Sequence, residues 1–464
     1  MKLLFRPLAA VGVGLLSAAL VAGCSSGADP APSGVSSTSA APAAGPATIK
    51  VGNKPTADQP EELALFKQRV KQFEAANPDI TVQSVETAYD PTTFQALLSG
   101  GQLPTVLQVP FTEPQALIQR KQIADMTDAL AETGLAKSLN PATLAVGQAD
   151  GRTYAIPIAA YSVGLLYNRE LFEKAGLDPD SPPTTWAEVR TDAKAIADKT
   201  GAAGFAQMST DNTGGWMFTA ETYSYGGSLQ SADGKKSTFA AQPATDLLQT
   251  MHDMRWQDQS MGKQFLYNID SIAQEFAAGR IGMYIAAPDT YNIVVSRFGF
   301  DKSSFGEGPM PRGTDSDAYG TLTGGTVAVV RPDASPAEKV AAAKWIQFSA
   351  LEQYVDQKAA VTAAKAAAAN DQAVGLPGLS PVSPEAYAQW QTWIADQTNV
   401  PVENFDPYIK AAAAQRLYPE PVNNAQQVYA ALDTIIQTVM TDQSVDIPAL
   451  LQKQADAVDR RLSR

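Results

Sequence analysis

The 464-residue chain contains one cysteine, Cys24, and one histidine, His252. A lone cysteine excludes an internal disulfide framework, and a lone histidine leaves no imidazole pair for a metal site. His252 lies in LLQTMHDMRW, on an amphipathic helix where a structural or solvent-facing role fits better than a catalytic one. No Gly-Lys-Ser/Thr loop is present to cradle a nucleotide phosphate. Positive charge is scarce: 35 Lys and Arg stand against 48 Asp and Glu, a net charge of −13. That balance argues against nucleic acid as a partner and against electrostatic docking on anionic lipid. Neither a cofactor nor a metal is expected, and no enzyme is indicated. Paired carboxylates would suit a secreted glycosidase, the one enzymatic alternative, but no local motif supports it.

Long apolar runs are also missing, apart from the first 23 residues. There Lys2 and Arg6 precede an apolar stretch of secretory length, short for a span of ~20 residues. It ends in Val21-Ala22-Gly23-Cys24, which resembles the bacterial lipobox. The resemblance implies a signal peptide over 1–23 and a lipidated Cys24 as first residue of the mature chain, whose net charge is then −15. Residues 24–46 are nearly all Ser, Ala, Pro and Gly, too poor in large apolar groups to offset chain entropy, and read as a disordered tether. Lipid anchoring on the outer face of the cell membrane follows.

What remains, about 420 residues, is enough for two domains or one bilobal unit. The apolar fraction, 45%, allows a substantial core. TIKV (48–51) reads as a strand, 59–76 as an amphipathic helix, 80–85 as a strand, 92–98 as a helix and 106–109 as a third strand. This alternation predicts a parallel sheet flanked by helices, with ligand beyond the carboxyl ends of its strands. The organising stretch is 151–189. Two extended runs, 153–158 and 162–168, are separated by a break at Pro157, which reads as a crossing between two sheets with Tyr161 at the crossing. Gly176 fits a helix C-cap, and Thr184 or Thr185 caps a helix from Trp186 to Thr200. Gly214-Gly215 is expected to expose the segment that carries Trp216. The last third reads as mostly helical, with LYPEPVN (417–423) its one informative loop.

TYAIPIAAYSVGLLYNRELFEKAGL with PPTTWAEV resembles the central signature of the extracellular solute-binding proteins of bacterial ABC importers, in the large sugar-capturing family. FEAANPDITVQ, LLSGGQLPTVLQV, EFAAGRIGMYIAAPDT and TGGTVAVVRPDASPAEKVAAAKWIQF follow in family order. The resemblance implies an α/β, two-lobed periplasmic-binding-protein-like fold, each lobe a sheet flanked by helices, joined by hinge crossings. Lobe 1 would comprise 47–158 plus 311–358, and lobe 2 would comprise 159–310 plus 359–464. It further implies a monomeric binder that closes on a mono- or oligosaccharide and delivers it to ABC permease subunits in the membrane. A polyol or glycerol-phosphate-type ligand is the alternative.

A sugar calls for aromatic platforms against its C–H faces and for amides and carboxylates that pair with its hydroxyls. The residues of those types near the expected cleft are Phe111, Glu113 and Gln108 around the third strand, Tyr161 at the crossing, Trp216, and Asp289 after IGMYIAAP. Asn53 follows the first strand, Asn423 sits in the last loop, and Gly324 and Gly325 would let backbone approach the ligand. Lys54 is the one basic residue placed near them. Tyr223 and Tyr225 read as core or rim, and Trp345, Trp390 and Trp393 as packing residues.

Overall fold

The computed structural model of the chain describes residues 45–412, 415–421 and 423–462. The signal peptide, Cys24 and all but the end of the tether expected from the sequence lie outside the described residues. In chain order the strands are β1 (Ala47–Val51), β2 (Ile80–Ser84), β3 (Val106–Pro110), β4 (Gln148–Ala149), β5 (Arg152–Thr153), β6 (Ala155–Ser162), β7 (Gly164–Asn168), β8 (Ala203–Phe205), β9 (Ile281–Ala286), β10 (Phe305–Gly308), β11 (Gly320–Val330) and β12 (Arg416–Pro419).

Six of them form one sheet in the order β12-β11-β3-β1-β2, with β6 paired to β11. β1 runs parallel to β2 and β3, with the helix Pro60–Ala76 crossing between the first two strands. The two-residue period of a strand sorts its side chains by face. Ile49, Val51, Val106, Ala328 and Val330 share one core with Trp345 of the helix Pro336–Ile346. Leu107, Val109, Val327 and Val329 share the opposite core with Phe111 and Leu117. On the first face, Phe73 meets Trp345 edge-on at 5.2 Å between ring centroids, a geometry favoured by the ring quadrupoles.

The second sheet has the order β10-β7-β9-β8. Every residue of β7 and β9 is buried, so both strands read as continuous apolar runs. Helix Trp186–Thr200 packs Trp186, Val189, Ala193 and Ile196 into this core, and helix Ala425–Thr441 adds Leu432, Ile435, Ile436 and Val439. Thr185 starts the former with a complete capping box: its hydroxyl accepts from the Glu188 amide, and the Glu188 carboxylate accepts in return from the Thr185 amide. Such a cap contributes about 1 kcal/mol.

The chain passes between the sheets at the organising stretch, but not as the proline suggested. β6 runs unbroken through Pro157 to Ser162, and the strand pauses only at Val163 before β7. Opposite Pro157 and Ala159 the register with β11 slips, leaving Ile158 as the extra residue of a bulge. A bulge is one of the few places where a proline can sit inside a ladder, because the missing N–H is not needed there. β12 is a second departure. Arg416 and the first three residues of the expected loop, Leu417 to Pro419, pair in parallel with Gly320–Thr323 of β11, so this sheet recruits the C-terminal third of the chain.

Candidate functional site

β11 is the rail on which the site is built. Its first half pairs with β12 on one side, its second half with β3 on that side, and β6 lies along the other. Gly324 and Gly325 mark the handover. A Cβ at Gly324 would overlap the phenol ring of Tyr161, and one at Gly325 would overlap the Ala159 carbonyl. Gly325 also has φ +151, a backbone conformation that favours glycine. The close approach that both glycines permit is therefore to the chain itself. The Gly325 carbonyl accepts the Phe111 amide at 3.1 Å, which ties the end of β3 to this point.

With Gly324 making room, Tyr161 reaches across β11 and donates to Glu420 Oε1 at 3.1 Å. Tyr429 donates to Glu420 Oε2 at 3.2 Å. Trp216 stands edge-on to Tyr161, with 6.0 Å between centroids. Among the described residues its buried indole N–H has no hydrogen-bond partner in ordinary geometry, although it faces the oxygens of Tyr161 and Glu420. Burial pushes the Glu420 carboxyl above the usual glutamate range, and the two tyrosine hydroxyls oppose that rise. Burial, with Glu420 beside it, pushes the Tyr161 phenol up, so it stays a donor. Tyr223 is buried against Tyr418, at 4.9 Å between centroids, and its hydroxyl donates to the Pro419 carbonyl.

Asp289 follows β9 beside the crossing and remains exposed. The protein around it still pushes its carboxyl upward, against the pull of backbone amides. It is near enough to act on the Tyr161 phenol. Tyr161 and Trp216 are thus brought together beside Glu420, with Asp289 near the Tyr161 phenol.

A second group gathers at the carboxyl ends of β1 and β3. Asn53, in the left-handed region at φ 59, accepts the Gln108 amide at 3.2 Å. Gln108 is exposed. Glu113, half-buried, accepts the Tyr89 hydroxyl at 2.5 Å. Phe111 is 4% exposed within the core on that face. Lys54 pairs with Glu86 at 3.0 Å. Asn423 lies apart from both groups, where its side chain donates to the Gly234 carbonyl and its backbone pairs with the Gln230 side chain.

Trp216 lies in the first turn of the helix Thr213–Ser224, as its sequence position suggests, but Gly214 and Gly215 are buried. A Cβ on Gly215 would overlap the Tyr429 backbone, so the pair serves close packing of two helices rather than exposure. The start of this helix is closed by Asp433: Gly215 N donates to Oδ1 at 2.7 Å and Asn212 N donates to Oδ2 at 2.8 Å. Sequence reading missed Asp433 and Glu420. For Glu420 a signal existed, since it is the only acid of LYPEPVN and sits between two backbone-fixing prolines. Asp433 lies inside an amphipathic helix, and nothing local marks it. His252 accepts no catalytic geometry; its Nε2 lies 2.9 Å from the Gln443 carbonyl. Among the described residues no group of His, Cys, Asp and Glu could hold a metal ion, and no helix is long and apolar enough to cross a membrane.

Residues 56–356 match the family described as bacterial extracellular solute-binding protein. A Brucella abortus binding protein is 29% identical over 239 residues, 49% of this chain and 56% of its own length. The sn-glycerol-3-phosphate-binding periplasmic protein UgpB of Yersinia pestis is 26% identical over 260 residues, 53% and 57% of the two chains. The chain thus spans about half the length of the curated relatives it matches. Among solved structures, the cyclic alpha-maltosyl-1,6-maltose binding protein of Arthrobacter globiformis superposes with a TM-score of 0.68 at 21% identity, covering 90% of this chain and 100% of that one. UgpB of Mycobacterium tuberculosis, solved with glycerophosphocholine, gives 0.65 at 19% identity with the same coverage. Both share the two-lobed α/β fold.

Proposed function

Because this chain belongs to the bacterial extracellular solute-binding protein family, we propose that it is the substrate-binding component of an ABC importer and that it captures a carbohydrate between its two lobes. The observation that carries this reading is the pairing of Tyr161 and Trp216 around Glu420 beside Asp289, at the crossing from one sheet to the other. Two aromatic rings supply platforms for the C–H faces of a sugar, and the carboxylates accept from its hydroxyls. The lobes are 47–158 plus 311–358 and 159–310 plus 359–464. Asn53, Gln108 and Glu113 serve the cleft from the first, where Phe111 is a core residue, with Tyr161, Trp216 and Asp289 serving it from the second. Gly324 makes room for Tyr161, Gly325 makes room for the Ala159 carbonyl, and Asn423 buttresses the last loop.

Ligand bound by both lobes favours the closed form, by as much as its affinity differs between the open and closed states, and the permease reads the closed surface. Lipidated Cys24 and the tether hold the monomer at the outer face of the membrane. A glycerol-phosphate-type ligand is the second reading, on the names of the UgpB relatives.

A thermal-shift screen over oligosaccharides, polyols and phosphorylated polyols tests the proposal by linkage. The expected result is a rise in Tm with at least one neutral sugar, without product formation. Trp216→Ala should then weaken binding about 30- to 100-fold, in the range of an aromatic anchor, with the fold retained. Unchanged affinity removes Trp216 from the site, and turnover of the sugar overturns the binding-only reading.

A further inference from the structure

We propose that the cleft is built to refuse anions, so that the captured solute is an uncharged polyhydroxylated molecule and not a phosphate ester. This rests on the carbohydrate reading of the cleft and narrows it. A phosphate is held by Lys or Arg, or by the free amides that open a helix. The cleft withholds each of these. Glu420, Asp289 and Glu113 make no ion pair with Lys or Arg among the described residues; Glu420 and Glu113 take tyrosine hydroxyls instead. Lys54, the cation at the end of β1, is engaged by Glu86. The helix that carries Trp216 would be the natural anion site, and the Asp433 carboxylate already occupies its first amides. A phosphate placed against Tyr161 and Trp216 would meet the Glu420 and Asp289 carboxylates, neither ion-paired with Lys or Arg among the described residues, whereas a sugar hydroxyl would donate to the same oxygens. Like-charge juxtaposition of this kind weakens binding by at least about 100-fold.

The test compares neutral and phosphorylated probes on the full chain by thermal shift and calorimetry. Trehalose, maltotriose and raffinose form one arm, and trehalose 6-phosphate and sn-glycerol 3-phosphate form the other. Stabilisation by a neutral sugar, with phosphates inert at about 100 times its concentration, is expected. Binding of either phosphate as tightly as any neutral probe would overturn the inference and leave the importer reading standing. Silence in both arms would overturn the carbohydrate reading, and the inference with it. Two variants locate the cause. Asp289→Asn alters an exposed side chain, and Glu420→Gln keeps an acceptor for Tyr161. Each should narrow the gap between trehalose and trehalose 6-phosphate about 10-fold. A gap unchanged in both variants would show that these acids do not set the selection.

Discussion

Two glutamates flank the crossing, Glu420 half-buried and Glu307 buried, and they are kept in opposite ways. Glu420 receives two tyrosine hydroxyls, one on each oxygen. Glu307, in β10, is fully buried and neither oxygen has a hydrogen-bond partner among the described residues. Across the second sheet it is in register with Leu166 and, beyond that, with Tyr284, whose buried hydroxyl is likewise unpartnered. Burial lifts both carboxyls, but only at Glu420 do donors pull the other way. Glu307 belongs to a region that tolerates a neutral acid, while Glu420 belongs to one prepared for an acceptor. Chemically identical side chains differ here in their donors: one is an acceptor engaged on both oxygens, the other an acid without a donor among the described residues.

The comparison breaks most visibly with pH. Glu307 is held well above the ordinary glutamate range, so the folded chain keeps a proton that the unfolded chain releases. Stability is therefore full below about pH 4 and falls as pH rises above the ordinary glutamate value, by up to about 1.4 kcal/mol per unit, until the folded carboxyl itself ionises. Glu307→Gln should remove this share of the slope, read as the urea midpoint against pH. A slope identical to that of the unsubstituted chain would contradict the assignment. Glu221, pushed up to about 8 by burial, contributes with the same sign and ends near that pH, so Glu221→Gln should remove a second share.

Next in size is the loss of a donor to Glu420. Tyr429→Phe should cost about 1.5–3 kcal/mol, the value of a hydrogen bond to a charged acceptor, in the same urea titration at neutral pH. A cost below about 0.5 kcal/mol would mean that Glu420 does not depend on its tyrosines. The smallest effect, and the sharpest contrast, is expected of Tyr284→Phe. Removing a buried hydroxyl that has no hydrogen-bond partner among the described residues should leave stability within about 1 kcal/mol or raise it slightly. A loss equal to that of Tyr429→Phe would erase the distinction between the two regions.

Local chemistry made much of the fold readable. The Thr185 cap, the strand–helix alternation of the first hundred folded residues and the apolar run 281–286 each carry their own signal, and the structure has them within a residue or two. What escaped depends on contacts distant in sequence. Pro157 reads as a break unless the bulge against β11 is known. Arg416–Pro419 is too short to show alternation and becomes a strand only beside Gly320–Thr323. Gly214 and Gly215 suggest exposure until the Tyr429 backbone is placed against them. The site divides in the same way. Tyr161, Trp216 and Asp289 were visible as residue types at strand and helix ends, whereas Glu420 gains meaning only when Tyr161 and Tyr429 converge on it.

The long strand β11 also dictates an order of assembly. Its partner β3 closes against it across a separation of roughly two hundred residues, and β12 arrives later still. While the chain is being made, Val106–Pro110 waits with one edge unsatisfied, and the first sheet is unfinished until residue 419 has emerged. Non-local pairing of this kind folds slowly. The topology itself therefore postpones the compact first sheet until the last third of the chain is available to complete it.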